Sequence, residues 1–270
     1  MAPEPEVRRS PVAALLYGAP IGLLGGLIGL GGAEFRLPVL AGVFGYVARR
    51  AVALNLAISL VTVVSALLIR GGTLSLDPLV ALLPVALAMM AGAVCAAFVG
   101  VALVHRISEA LLERFILVLL VGIGAALVVE AFLPLEDSGF LPEDSWLLPR
   151  LAVAVVLGLF TGLVSSLLGV AGGELIIPTL VFVFGAGIKT AATASLLVSL
   201  PTVAVGVHRH RRLGSFTDRA DLTQTVAPMG VGSVSGAVVG GLFVGVVLAA
   251  VLKFVLGILL IVSAVRIFHR

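Results

Sequence analysis

The chain alternates long stretches free of charge with short charged joints. Four stretches stand out: Val12 to Ala33, Pro78 to Val104, Leu151 to Gly173 and Leu222 to Leu252. A helix needs about 20 apolar residues to cross a hydrocarbon layer of about 30 Å, so each stretch predicts a crossing helix. Barrel strands would instead alternate apolar and polar positions over about ten residues. No such alternation occurs here, and the expected fold class is an all-α integral membrane protein.

The apolar pattern also repeats. A shift of 140 positions, the distance from Glu34 to Glu174, lays Gly18, Gly22, Gly29, Gly32, Glu34, Pro38, Phe44 and Gly45 on Gly158, Gly162, Gly169, Gly172, Glu174, Pro178, Phe184 and Gly185. The register continues through Asn55 with Ser195, Ser59 with Ser199 and Thr62 with Thr202. Internal self-similarity of this kind is the mark of a duplicated unit. The expected organisation is a first transmembrane repeat at 1–134, an acidic extracytoplasmic linker at 135–149 and a second transmembrane repeat at 150–270. Each unit reads as five apolar segments: 12–31, 34–48, 50–69, 78–104 and 110–132, then 150–171, 174–187, 189–207, 221–245 and 248–267. The second segment of each is short for a crossing of about 20 residues. It is either a full pass or a broken, re-entrant helix.

An odd number of segments makes the two units face opposite ways, and the charges agree. With a cytoplasmic N-terminus, Arg8, Arg9, Arg49, Arg50, Arg106, Arg114, Arg209, Arg211, Arg212, Arg219, Arg266 and Arg270 fall inside, most of the 17 basic residues. The linker "LEDSGFLPED" falls outside. The basic loop "HRHRRLGSFTDR" of the second unit corresponds to the nearly neutral "IRGGTLSLDP" of the first, on the other side. That exchange fits inverted-topology repeats obeying the positive-inside bias, with both termini in the cytoplasm.

Composition narrows the function. The chain is 60% hydrophobic and 11% charged, with a mean hydropathy of +1.25. In such a chain a net charge of +3 points to cytoplasmic loops beside a lipid bilayer, not to nucleic acid. Arg8 and Arg9 before an apolar run resemble a secretory signal, but the run is too long and leads into the glycine motif, so a retained first helix is expected. The lone Cys95 excludes a disulfide framework, and no metal site or other cofactor is signalled. The metalloprotease HExxH, the hydrolase GxSxG and a phosphate-binding loop for ATP are all missing. An enzyme is not expected.

The chemistry concentrates in "GLGGAEFRLP" at 29–38 and "GVAGGELIIP" at 169–178. Paired glycines between an apolar helix and a short segment predict helix breaks, and a helix starting there offers free N–H groups and the positive end of its dipole to an anion. Such breaks form midplane sites in inverted-repeat transporters. The candidate binding residues are therefore Gly31, Gly32 and Ala33 with Gly172 and Gly173. Arg36 has the apolar Ile176 as its counterpart; it either holds an oxyanion, pairs with Glu34 or Glu174, or snorkels to the surface. On the third segments, Asn55 and Ser59, and Ser195 and Ser199, lie one turn apart on one helical face, and Thr62 and Thr202 continue each stripe. They line an anion path or join helices by hydrogen bonds. Glu34 and Glu174 either couple protons or gate, as acids at membrane depth often do, or cap their short helices. Gly18, Gly22 and Gly26, like Gly232, Gly236 and Gly240, read as close helix packing. His208 and His210 sit in what reads as a topology-setting basic loop.

The duplicated glycine motif followed by proline, with a hydroxyl-bearing helix after each copy, resembles the TauE/SafE sulfite exporter family over nearly the whole chain. Ala33, Ala171, Glu34, Arg36 and Glu174 depart from the family's G-x-G-G-G and apolar positions. The resemblance implies a transporter of sulfite or an organosulfonate in the cell membrane, working by alternating access. A proton-coupled carrier and a passive anion channel or uniporter both fit, and homo-oligomerisation is left open.

Overall fold

A computed structural model describes residues 7, 9–28, 32–73, 77–132, 140–141 and 146–242, with 254, 257–258, 261–262 and 264–265 near the end. The described residues are mostly helical, with no strand among them. The first half contains α1 (Pro11–Ile28), α2 (Ala33–Gly42), α3 (Ala48–Thr73), α4 (Asp77–Arg106) and α5 (Glu109–Phe132). The second contains α6 (Leu147–Leu168), α7 (Gly173–Pro178) running into a π-helical turn at Thr179–Val183, α8 (Ile188–Arg212), α9 (Arg219–Asp221) running into a second π turn at Leu222–Val226, and α10 (Ala227–Leu242). Among the described residues, four helical stretches are long and apolar enough to cross a membrane: Ala48–Leu68, Leu79–Arg106, Leu147–Leu168 and Thr190–Arg212.

The surface is inverted relative to a water-soluble protein. Leu16, Leu68, Val80, Val118 and Val156 are exposed, while Glu34, Arg36, Asn55, Ser59, Ser195 and Ser199 are buried. Apolar side chains outside and polar ones inside suit a hydrocarbon solvent.

Both glycine motifs break the chain in the same way. Gly32 and Gly172 precede α2 and α7 with φ of 70° and 81°, a left-handed conformation that costs glycine nothing. At 10 residues, α2 is about 15 Å long, half of a bilayer's hydrocarbon. Gly32 lies beside the carbonyl of Ile21, so the chain has already turned back along α1. It emerges where α1 began, since Arg9, just before α1, and Arg50, at the start of α3, both bind Asp221. We term this end of the molecule the Arg9 face. Arg49 donates there to the carbonyls of Val104 and Ile107 at 3.1 and 2.7 Å, placing the end of α4 on the same face. His105 meets His210 at 3.3 Å, which brings the end of α8 there too. His208 and His210 thus belong to the last turns of α8 and not to a loop. At the opposite end, Phe140 and Leu141 donate to the carbonyls of Phe182 and Val183.

Helices pair across the two halves. The glycine runs expected to pack closely do so against each other: a Cβ on Gly18 would lie 2.4 Å from the Met229 carbonyl oxygen, and one on Gly22 only 2.0 Å from that of Ser233. Gly232 and Gly236 of α10 press on Leu15 and Ala19 in return. The same arrangement joins α6 to α4, where Gly158 and Gly162 meet the backbone of Met89 and Ala93. Between these pairs, α3 and α8 share a core of Leu56, Val63, Leu196 and Val203. Pro201 lies inside α8, which continues through it.

The obstruction at Gly22 is backbone, which cannot rotate away, so Gly22→Ala must push α1 from α10. Overpacking of this kind costs about 1–3 kcal/mol. Thermal denaturation in detergent should therefore give a lower midpoint for Gly22→Ala than for wild type. Gly122→Ala, with nothing within 4 Å of the added atom, should leave it unchanged or slightly higher.

Candidate functional site

The start of α2 carries Ala33, Glu34 and Arg36, all buried, with Glu34 and Arg36 fully so. Their burial follows from the break: because the chain restarts as a helix beside Ile21, its first turn lies inside the protein. Gly32 is the cap residue and brings no side chain, so Glu34 stands within the first turn itself. Burial of Arg36 sets aside snorkelling.

The Arg36 guanidinium is held from three sides. Nε donates to Asn55 Oδ1 at 3.1 Å, one terminal nitrogen to Ser59 Oγ at 3.0 Å and the other to Ser233 Oγ at 3.4 Å. Asn55 is oriented in turn: its Nδ2 donates to the Ala33 carbonyl at 2.8 Å and reaches the Leu168 carbonyl at 3.5 Å. The site therefore gathers α2, α3, the end of α6 and α10. Gly169 permits this convergence, since it ends α6 against the backbone of Val52, one turn before Asn55.

A serine hydroxyl that accepts from a guanidinium keeps its own proton to donate. Ser59 and Ser233 together with Arg36 can thus present positive charge and two O–H donors to an oxyanion, the combination that binds such groups most strongly. Of the residues singled out from sequence, Ala33, Arg36, Asn55 and Ser59 come together here. Ser195 is buried but donates to the Ala192 carbonyl of its own helix at 2.9 Å. The buried Ser199 hydroxyl has no hydrogen-bond partner among the described residues. Gly172 and Gly173 form the second break, with Ser165 packed 3.5 Å from where a Cβ on Gly172 would stand. Gly31 and the side chain of Glu174 lie outside the described residues.

Ser233 was not legible as a site residue. It lies in "MGVGSVSGAVVGG", where glycine spacing argues only for packing. A shift of 140 lays Met229, Gly232, Ser233 and Gly240 on Met89, Gly92, Ala93 and Gly100, so the repeat shows an apolar alanine where Ser233 stands and marks the stretch as packing surface alone.

The family described as sulfite exporter TauE/SafE matches residues 1–127 and 154–270. Among curated relatives, a "probable membrane transporter protein" of Methanocaldococcus jannaschii is 31% identical over 120 residues, 43% of this chain and 43% of that protein. The match thus spans less than half of that relative's length. No solved structure matches significantly. With the family matched along both halves of the sequence, the chain belongs to the TauE/SafE sulfite exporter family.

Proposed function

We propose that the chain is a secondary transporter that moves sulfite or a sulfur-containing organic anion across the cell membrane by alternating access. The observation that carries this reading is the fully buried Arg36, oriented by Asn55, Ser59 and Ser233 at the start of a broken helix. A compact oxyanion suits a planar guanidinium flanked by hydroxyls.

The two halves, 1–134 and 150–270, are proposed to be inverted repeats. Supporting this, the first apolar segment of each half packs on the fourth of the other, α1 on α10 and α6 on α4. An axis in the membrane plane relates elements in this way. The Arg9 face is proposed to be cytoplasmic, with the linker 135–149 outside and both termini inside. In support, Arg49, Arg50, Arg106, Arg209, Arg211 and Arg212 begin or end helices at that face, as the positive-inside bias requires.

Ser195, Ser199, Gly172 and Gly173 are proposed as the second half's contribution to the path. Ser199 supports it best, because a buried hydroxyl without a partner is costly unless a ligand or water satisfies it. Glu34 and Glu174 are proposed as the proton-coupling or gating pair. The burial of Glu34 in the first turn of α2 supports that role for the first copy.

Uptake of labelled sulfite into liposomes holding the purified protein tests the site. Arg36→Gln should reduce the rate by about a hundredfold, and Ser59→Ala by about fivefold, as expected for losing a charge-assisted or a neutral hydrogen bond. Rates equal to wild type in both variants would remove Arg36 from the anion site.

An imposed pH gradient tests coupling. A proton-coupled carrier accumulates sulfite above equilibrium, and Glu34→Gln and Glu174→Gln should each abolish accumulation. Flux that only equilibrates and ignores both substitutions would instead identify a channel or uniporter.

A further inference from the structure

At the Arg9 face a buried carboxylate ties the two halves of the chain together. Asp221 ends α9 and its side chain is only 2% exposed, yet it accepts from three residues of the other half. Arg9 Nε donates to Oδ1 at 3.0 Å, Tyr46 Oη donates to the same oxygen at 3.1 Å, and Arg50 Nε donates to Oδ2 at 2.6 Å. Arg50 adds a second contact through a terminal nitrogen. Tyr46 also shares a hydrogen bond with Thr225 at 2.9 Å. Asp218 widens the cluster, pairing with Arg9 and, at 3.5 Å, with Arg50. Burial pushes the Tyr46 phenol above its ordinary pKa, so it remains a donor to the carboxylate.

The cluster lies one layer from the anion site. On α3, Arg50 precedes Ser59 by nine residues, about 14 Å of helix; on the opposing column, Thr225 precedes Ser233 by eight, about 12 Å. The two elements that flank Arg36 therefore converge again at the cluster. Tyr46 and Thr225 are buried there and hydrogen-bonded to each other, which joins the segment between α2 and α3 to the π turn before α10.

We propose that Asp221, held by Arg9, Arg50 and Tyr46, is a latch that seals the Arg9 face of the transport path and releases whenever the Arg36 site turns to that face. The inference rests on the alternating-access reading given above. Its chemistry suits reversible closure. Both guanidiniums are a third exposed, at 34% each, so water can replace Asp221 as their partner, while Asp221 gains hydration only when the halves part. A buried carboxylate is stable only while its donors remain, which makes closure all-or-none. Asp221 also adjoins the π turn Leu222–Val226, and such turns recur at functional positions in helices. The latch belongs to one face alone: a shift of 140 places Pro149, Ala186, Thr190 and Ala81 where Arg9, Tyr46, Arg50 and Asp221 stand.

The test uses the full chain with Cys95→Ser and a Ser59→Cys reporter, in vesicles of either orientation, labelled with a membrane-impermeant maleimide. Asp221→Asn should speed labelling from the Arg9 face about tenfold and slow it from the opposite face. Tyr46→Phe, which removes one donor and keeps the ring, should speed it about threefold. Unchanged labelling from the Arg9 face in both variants overturns the latch. Faster labelling from the Arg9 face without a fall from the other supports the latch but overturns alternating access. Should Asp221→Asn fail to fold, judged by size-exclusion elution, Tyr46→Phe alone decides on the same readout.

Discussion

Everything in this molecule depends on two pairs of helices whose backbones touch. Lipid tails are as apolar as leucine, so burial alone gives helices little reason to associate in a bilayer. Dispersion contacts and fit must do it, and both grow as backbones approach. Glycine at Gly18 and Gly22 on α1, and at Gly158 and Gly162 on α6, lets each helix rest directly on carbonyls of α10 and α4. These pairs form a frame between which α3 and α8 cross and the short helices α2 and α7 end. Only inside such a frame can a chain break at Gly32 and Gly172 without leaving bare backbone to lipid.

The frame carries different chemistry in its two halves. Two glycine pairs related by the 140-residue shift share their backbone: Gly32 and Gly172 are both left-handed, as are Gly45 and Gly185, with φ of 73° and 69°. Side chains diverge. Arg36 stands where the second half has Ile176, and Asn55 where it has Ser195. The shared glycines give the two breaks a common backbone, while Arg36 with its ring of acceptors gives the first break a chemistry that the second does not repeat.

Much of this was legible in the sequence, for identifiable reasons. Uncharged runs longer than a bilayer announce helices because hydrocarbon tolerates nothing else. The breaks were legible because paired glycines before a short segment have few other uses, and Asn55 and Ser59 because polar residues at i and i+4 stand out on an apolar helix. Partnership was not legible. Glycine spacing on α1 says that something packs closely, and nothing local says that it is α10. Ser233 was hidden for the same reason, since its role comes from facing Arg36 across nearly 200 residues of chain. His210 read as part of a basic loop because its burial depends on His105 of α4. Asp221 looked like the boundary of an apolar run until Arg9 and Arg50 arrived from the other half.

The pairing of α1 with α10 has a consequence for biogenesis. The Gly22 surface is complementary to a segment centred on Ser233, which the ribosome makes about two hundred residues later. At about 5–20 residues per second, the first helix waits on the order of ten seconds or more in the membrane with its seam unfilled. During that interval its small-residue face is open to any other helix with a matching groove, so the insertion machinery, or the nascent chain's own α2 and α3, must shelter it until the last third of the protein arrives.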